Sequence, residues 1–102
     1  MNYQLVLQLT GDLAEDLDAL IDLEDRLTEG LQDADVDGHD IGSGHANVFI
    51  LTTDPHSTFQ AARAVLEKAN QLDNLTAAYR EAEGEAYTVV WPSGSTKVFK
   101  IR

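Results

Sequence analysis

The spacing of apolar residues changes along this chain, and the order of those changes is its strongest constraint on fold. From Asn2 to Leu9 the residues alternate. Tyr3, Leu5, Leu7 and Leu9 fall on one side, and Asn2, Gln4 and Gln8 on the other. A period of two belongs to a strand with one buried face. Thr10-Gly11-Asp12 interrupts it. From Leu13 the spacing is helical: Leu13, Leu17, Leu20, Ile21, Leu27 and Leu31 trace one stripe, and Asp16, Asp18, Asp22, Asp25 and Glu29 cover the remainder. Asp12 followed three residues later by Glu15 places the helix start there, in the manner of a capping box, and Gly30 marks its end.

Val36 to Ile41 predicts a weak, polar edge strand, followed by a flexible Gly42-Ser43-Gly44. Ala46 to Thr52 contains Val48-Phe49-Ile50-Leu51, apolar on both faces, as expected of a central strand. Asp54-Pro55 then opens a second helix, with the aspartate as cap and the proline at the first helical position, where its missing N–H costs nothing. Phe59, Ala62, Leu66 and Ala69 continue at helical spacing. Three short strands are expected to follow, over Thr76–Ala82, Ala86–Trp91 and Thr96–Ile101. Tyr79, Tyr87 and Trp91 form the aromatic cluster, whose default role is core packing.

This order predicts an α+β fold: a ferredoxin-like βαββαβ sandwich, an antiparallel sheet with two helices on one face and an additional C-terminal β-hairpin strand. At 102 residues it forms a single domain, 1–102. Two helices would cover one sheet face and leave the other open. An open apolar face suits a second subunit, so a homodimer through it is one expectation.

Composition narrows the function classes. Without cysteine the chain has no disulfide, zinc–thiolate site, iron–sulfur cluster or thiol nucleophile. Met1-Asn2-Tyr3-Gln4 carries no basic segment of a signal peptide, and no apolar run is long enough to span a bilayer. A cytoplasmic location is expected. There are 18 acidic and 7 basic residues, a net charge of −11. The imbalance is local: all of it lies between Asp12 and Asp40, where Arg26 is the one base, and acids balance bases beyond Thr53. Such a field repels nucleic acid and anionic lipid, and it attracts basic proteins. Asp25 and Glu29 also oppose the dipole at their helix end, by roughly 0.3 kcal/mol or more each. The leading expectation is a non-catalytic protein-binding module. In it Asp16, Asp18, Asp22, Asp25 and Glu29 of the first helix, with Asp33, Asp35, Asp37 and Asp40 of the loop after it, meet a basic partner as an immunity protein or inhibitor would.

Other constellations are weaker. Asp33-Ala34-Asp35-Val36-Asp37-Gly38 copies the first half of an EF-hand loop, but Asp40 and Gly44 stand where a hydrophobic residue and a bidentate glutamate belong. The expectation there is an acidic loop without a cation. His39 and His45, with Asp37 and Asp40 nearby, are weak metal candidates. Ser43 beside them lacks the strand–turn–helix context of a nucleophile. Thr10-Gly11-Asp12, between strand and helix, could present helix-start amides to a small anion. This supports an alternative reading by fold-level analogy, a small-ligand-sensing ACT-like dimeric regulatory domain. A second alternative is an enzyme or metal-binding protein using His39 and His45. No catalytic residue and no cofactor is assigned.

The segment Val36-Asp37-Gly38-His39-Asp40-Ile41-Gly42-Ser43-Gly44, continued by Asn47, Phe49 and Asp54-Pro55, resembles a signature of small bacterial proteins of unknown function. Ala78-Tyr79-Arg80 and Tyr87-Thr88-Val89-Val90-Trp91-Pro92 go with it. The resemblance implies a fold and no catalytic residue.

Overall fold

A computed structural model describes residues 2–31, 33–42, 44–92 and Phe99. Its elements run β1 (Tyr3–Leu9), α1 (Leu17–Gly30), β2 (Ala34–Gly42), β3 (His45–Thr52), α2 (Pro55–Lys68), β4 (Leu75–Glu81) and β5 (Thr88–Trp91). The strands form one antiparallel sheet in the order β2-β3-β1-β4-β5, and the fold is α+β. The expected strand over Thr96–Ile101 lies, apart from Phe99, outside the described residues. Among the described residues no helix is long and apolar enough to cross a membrane.

β1 is expected to bury one face, but it stands at the centre of the sheet and buries both, with Val6 and Gln8 enclosed on the side away from the helices. Leu5, Leu7 and Leu9 are fully buried and pack with Leu20, Leu23 and Leu27 of α1 and Phe59, Ala62 and Leu66 of α2. Ala46, Val48 and Ile50 of β3 and Ala77 of β4 complete that face.

The start of α1 differs from the sequence expectation. Gly11, at φ +79°, turns the chain into a single 3-10 turn over Gly11–Ala14 that buries Leu13 and Ala14. The α-helix begins only at Leu17, capped by Asp16, whose Oδ1 accepts from the Ala19 amide at 3.1 Å. The buried stripe is accordingly Leu20, Leu23, Leu27 and Leu31, while Leu17 and Ile21 are left 49% and 43% exposed. Asp16→Ala is expected to cost about 1 kcal/mol in urea denaturation, because a helix-start amide loses its acceptor. The same change at the exposed Asp12, inside the 3-10 turn and not at the α-helix cap, should cost much less.

At α2 the cap falls where expected. Asp54 Oδ1 accepts from the Ser57 amide at 3.1 Å, with Pro55 in the first turn. A second tie joins strand to helix. Thr52 and Thr58 share a buried hydroxyl contact of 2.6 Å, and Thr52 Oγ1 accepts from the Asp54 amide at 3.0 Å. Thr52→Val keeps the shape but strands both groups, so a loss of about 1–3 kcal/mol in unfolding free energy is expected. A loss indistinguishable from zero would mean that water replaces the threonine oxygen.

The face turned away from the helices is not open. Val6, Asn47 and Ala78 have no exposure in the single chain, and Gln8 is 8% exposed. Phe99, itself 9% exposed, packs over Val6 and Ala78 together with Phe49, Tyr87 and Val89. Gln8 Nε2 donates to Asn47 Oδ1 at 3.0 Å, a polar contact inside this layer. Among the described residues, the expectation of an open apolar face is therefore not met at Val6 and Ala78. The aromatic cluster also divides. Trp91 lies on the helix side, 6.1 Å from Phe59, with its Nε1 donating to Leu72 O. Tyr79 meets Tyr3 and His56, while Tyr87 stacks on Phe99 across the sheet.

Candidate functional site

Helical geometry sorts the polar residues of α1 into neighbouring rows. Asp18, Asp22, Asp25 and Glu29 stand at i, i+4, i+7 and i+11, all exposed, and form one carboxylate row along the outer face. Arg26 is its local counter-ion, 3.2 Å from Asp22, with both side chains more than half exposed. One step round the helix, Leu17, Ile21, Glu24 and Thr28 repeat the same spacing and form the flank beside β2. The placement of that flank follows from a direct contact between the Glu24 carboxylate and His39 Nδ1 of β2.

β2 is the outermost strand on this side of the sheet. Val36 and Ile41 face the core, opposite Ile50 and Ala46. Asp35 and Asp40 pair with Leu51 and Asn47, so they share the face away from the helices. The register slips between Val36 and Gly38, leaving Asp37 as the extra residue of a bulge, and Gly38 takes φ +150° there. Between the flank of α1 and the end of β2 lies a groove of about 420 Å³ lined by Glu15, Leu17, His39, Asp40 and Ile41. The rim of the molecule on this side therefore carries three bands: carboxylates on α1, the apolar Leu17–Ile21–Ile41 strip, and carboxylates on β2.

The predicted partner residues map unevenly onto this rim. Asp18, Asp22, Asp25 and Glu29 share the outer row, and Asp35, Asp37 and Asp40 are exposed on β2. Asp33 is exposed at φ +57° just before β2. Asp16 is engaged as a cap instead. Most of the segment Asp33–Asp40 is not a loop but an extended strand paired to β3, so it does not wrap a cation as an EF-hand loop does. His39 lies on the helix side, opposite Val48, whereas His45 pairs with Gly42 on the other face; the two imidazoles do not converge. Among the described residues no group of three or more histidine or acidic side chains comes together to hold a metal. Ser43 lies outside the described residues. Thr10-Gly11-Asp12 leads into the 3-10 turn and not into an α-helix start, and the Thr10 amide donates to Asn74 O at 3.1 Å.

Sequence reasoning missed Leu17, Ile21, Glu24 and Ile41 as parts of the site. The signal was present in the leucine excess of α1, which offers more apolar positions than one buried face uses. The described arginines of the neutral half lie towards the opposite edge. Arg63 sits 4.6 Å over the Trp91 ring. Arg80 Nη1 donates to the carbonyls of Glu81, Ala82 and Gly84, closing the turn after β4. The polarity seen along the sequence thus becomes a polarity across the sheet. Comparisons with protein-family models, curated proteins and solved structures returned no match.

Proposed function

We propose that this chain is a non-catalytic, cytoplasmic protein-binding module of ferredoxin-like architecture, whose acidic rim engages a basic protein in the manner of an immunity protein or inhibitor. The observation that carries it is the registry of the carboxylates: Asp18, Asp22, Asp25 and Glu29 in one exposed row, with Asp35, Asp37 and Asp40 on the strand beside it. A solvating coat needs no such concentration, and helix-end electrostatics disfavour Glu29 in the last turn of α1. A local field of one sign raises encounter rates with a partner of the other sign. The strand order β2-β3-β1-β4 around the two crossover helices supports the architectural reading, with β5 as the added strand. The ACT-like alternative is less favoured, since Thr10-Gly11-Asp12 precedes a 3-10 turn and the α1 start carries the Asp16 cap.

The test is retention of host proteins on the immobilised chain, compared with a variant carrying Asp18→Asn, Asp22→Asn, Asp25→Asn and Glu29→Gln. The wild type is expected to retain a basic protein that the variant releases. Equal retention by both chains would contradict the proposal.

A further inference from the structure

We infer that the outer edge of β2, from His39 to Gly42, is a docking track for an extended segment of the basic partner in which apolar and basic residues alternate. The inference rests on the binding-module reading and names the element of the partner that would be recognised.

β2 ends the sheet on its side among the described residues, so one edge of its main chain faces outward, as in sheets that accept an added strand. The bulge at Asp37 breaks the register and confines regular pairing to the residues after it. A strand laid there points alternate side chains to opposite faces. Those on the helix side would meet the exposed Leu17 and the half-buried Ile41 in the groove these share with Glu15, His39 and Asp40, with the exposed Ile21 one turn further along α1. Those on the other side would meet Asp40, with Asp35 further along. The site therefore asks for apolar and basic residues in strict alternation.

Charge selects this occupant over a second copy of the chain. Two β2 edges laid together would set Asp35, Asp37 and Asp40 of one against those of the other, and like charges facing across a strand pair are destabilising. Edge carboxylates also serve simply to keep sheets from pairing. That role alone would leave Leu17 and Ile21 without a reason to be bare, and it would give no binding.

The experiment uses an end-blocked synthetic peptide of alternating valine and lysine, titrated at low salt into the 15N-labelled full chain. Amide shifts are expected to concentrate in His39–Gly42 and Leu17–Ile21. The double change Leu17→Ser and Ile21→Ser is expected to weaken binding about tenfold or more, as loss of a central apolar anchor does. A peptide N-methylated at every residue, so that neither edge can donate, should weaken comparably on the unaltered chain, because strand addition depends on main-chain hydrogen bonds. This second probe decides the matter even if the double variant fails to fold. Equal affinity for the methylated peptide would overturn the docking track, leaving charge attraction and the binding-module reading intact. Absence of binding would also overturn the track, while the module reading is still judged by the behaviour of the native basic partner.

Discussion

Leu27→Ala is expected to lower the unfolding free energy by about 2–5 kcal/mol, whereas Ile21→Ala should change it by about 0.5 kcal/mol or less. Both residues belong to the apolar stripe that the sequence suggests for the first helix. Only Leu27 is fully buried; Ile21 is 43% exposed. Truncating Leu27 removes its transfer free energy and leaves a cavity between sheet and helices that close-packed neighbours fill incompletely. The ratio of the two effects therefore reads the rotation of α1 about its axis. Comparable losses in urea denaturation would place Ile21 in the core and remove the apolar strip beside β2.

Phe99→Ala is expected to cost about 3–5 kcal/mol. Phe99 covers Val6 and Ala78, both without exposure, and its ring lies 5.0 Å from that of Tyr87. Its removal uncovers apolar surface on the second sheet face, and exposed patches of that kind drive association. Sedimentation analysis of the folded fraction should then show more concentration-dependent self-association than the unaltered chain does. A neutral Phe99→Ala would mean that the second face is already open.

Much of this architecture was legible because local signals agreed with global needs. The strand at β1, the strand over the doubly apolar run of β3 and the Asp54-Pro55 cap were each legible, although β1 buries both its faces and not the one that its alternation suggests. The start of α1 was ambiguous, since Asp12 and Asp16 are both plausible caps and local pattern favours Asp12 with Glu15. Burial of Leu13 and Ala14 by the 3-10 turn decides for Asp16, and that is a tertiary effect. The same shift turns Leu17 and Ile21 outward and brings Leu23 in. β2 was longer than expected because its carboxylates sit on exposed edge positions, where weak strand propensity is overridden by pairing with β3. The closure of the second face depends on Phe99 meeting Val6 far along the chain, and no local period reports a contact of that range.

The carboxylates of the candidate site were visible as a charge imbalance, but their organisation was not. Only the helical rows and the strand register show that Asp18, Asp22, Asp25 and Glu29 flank an apolar strip with further acids on the far side of β2. The central claim is that this rim attracts a basic protein by its field. The most direct measurement is the association rate of the chain with the basic protein retained from its host, followed by stopped-flow from about 0.02 M to about 0.5 M salt, where the Debye length falls below the spacing between partner surfaces. The rate is expected to fall about tenfold or more across that range while the dissociation rate changes far less. An association rate independent of salt would contradict the claim.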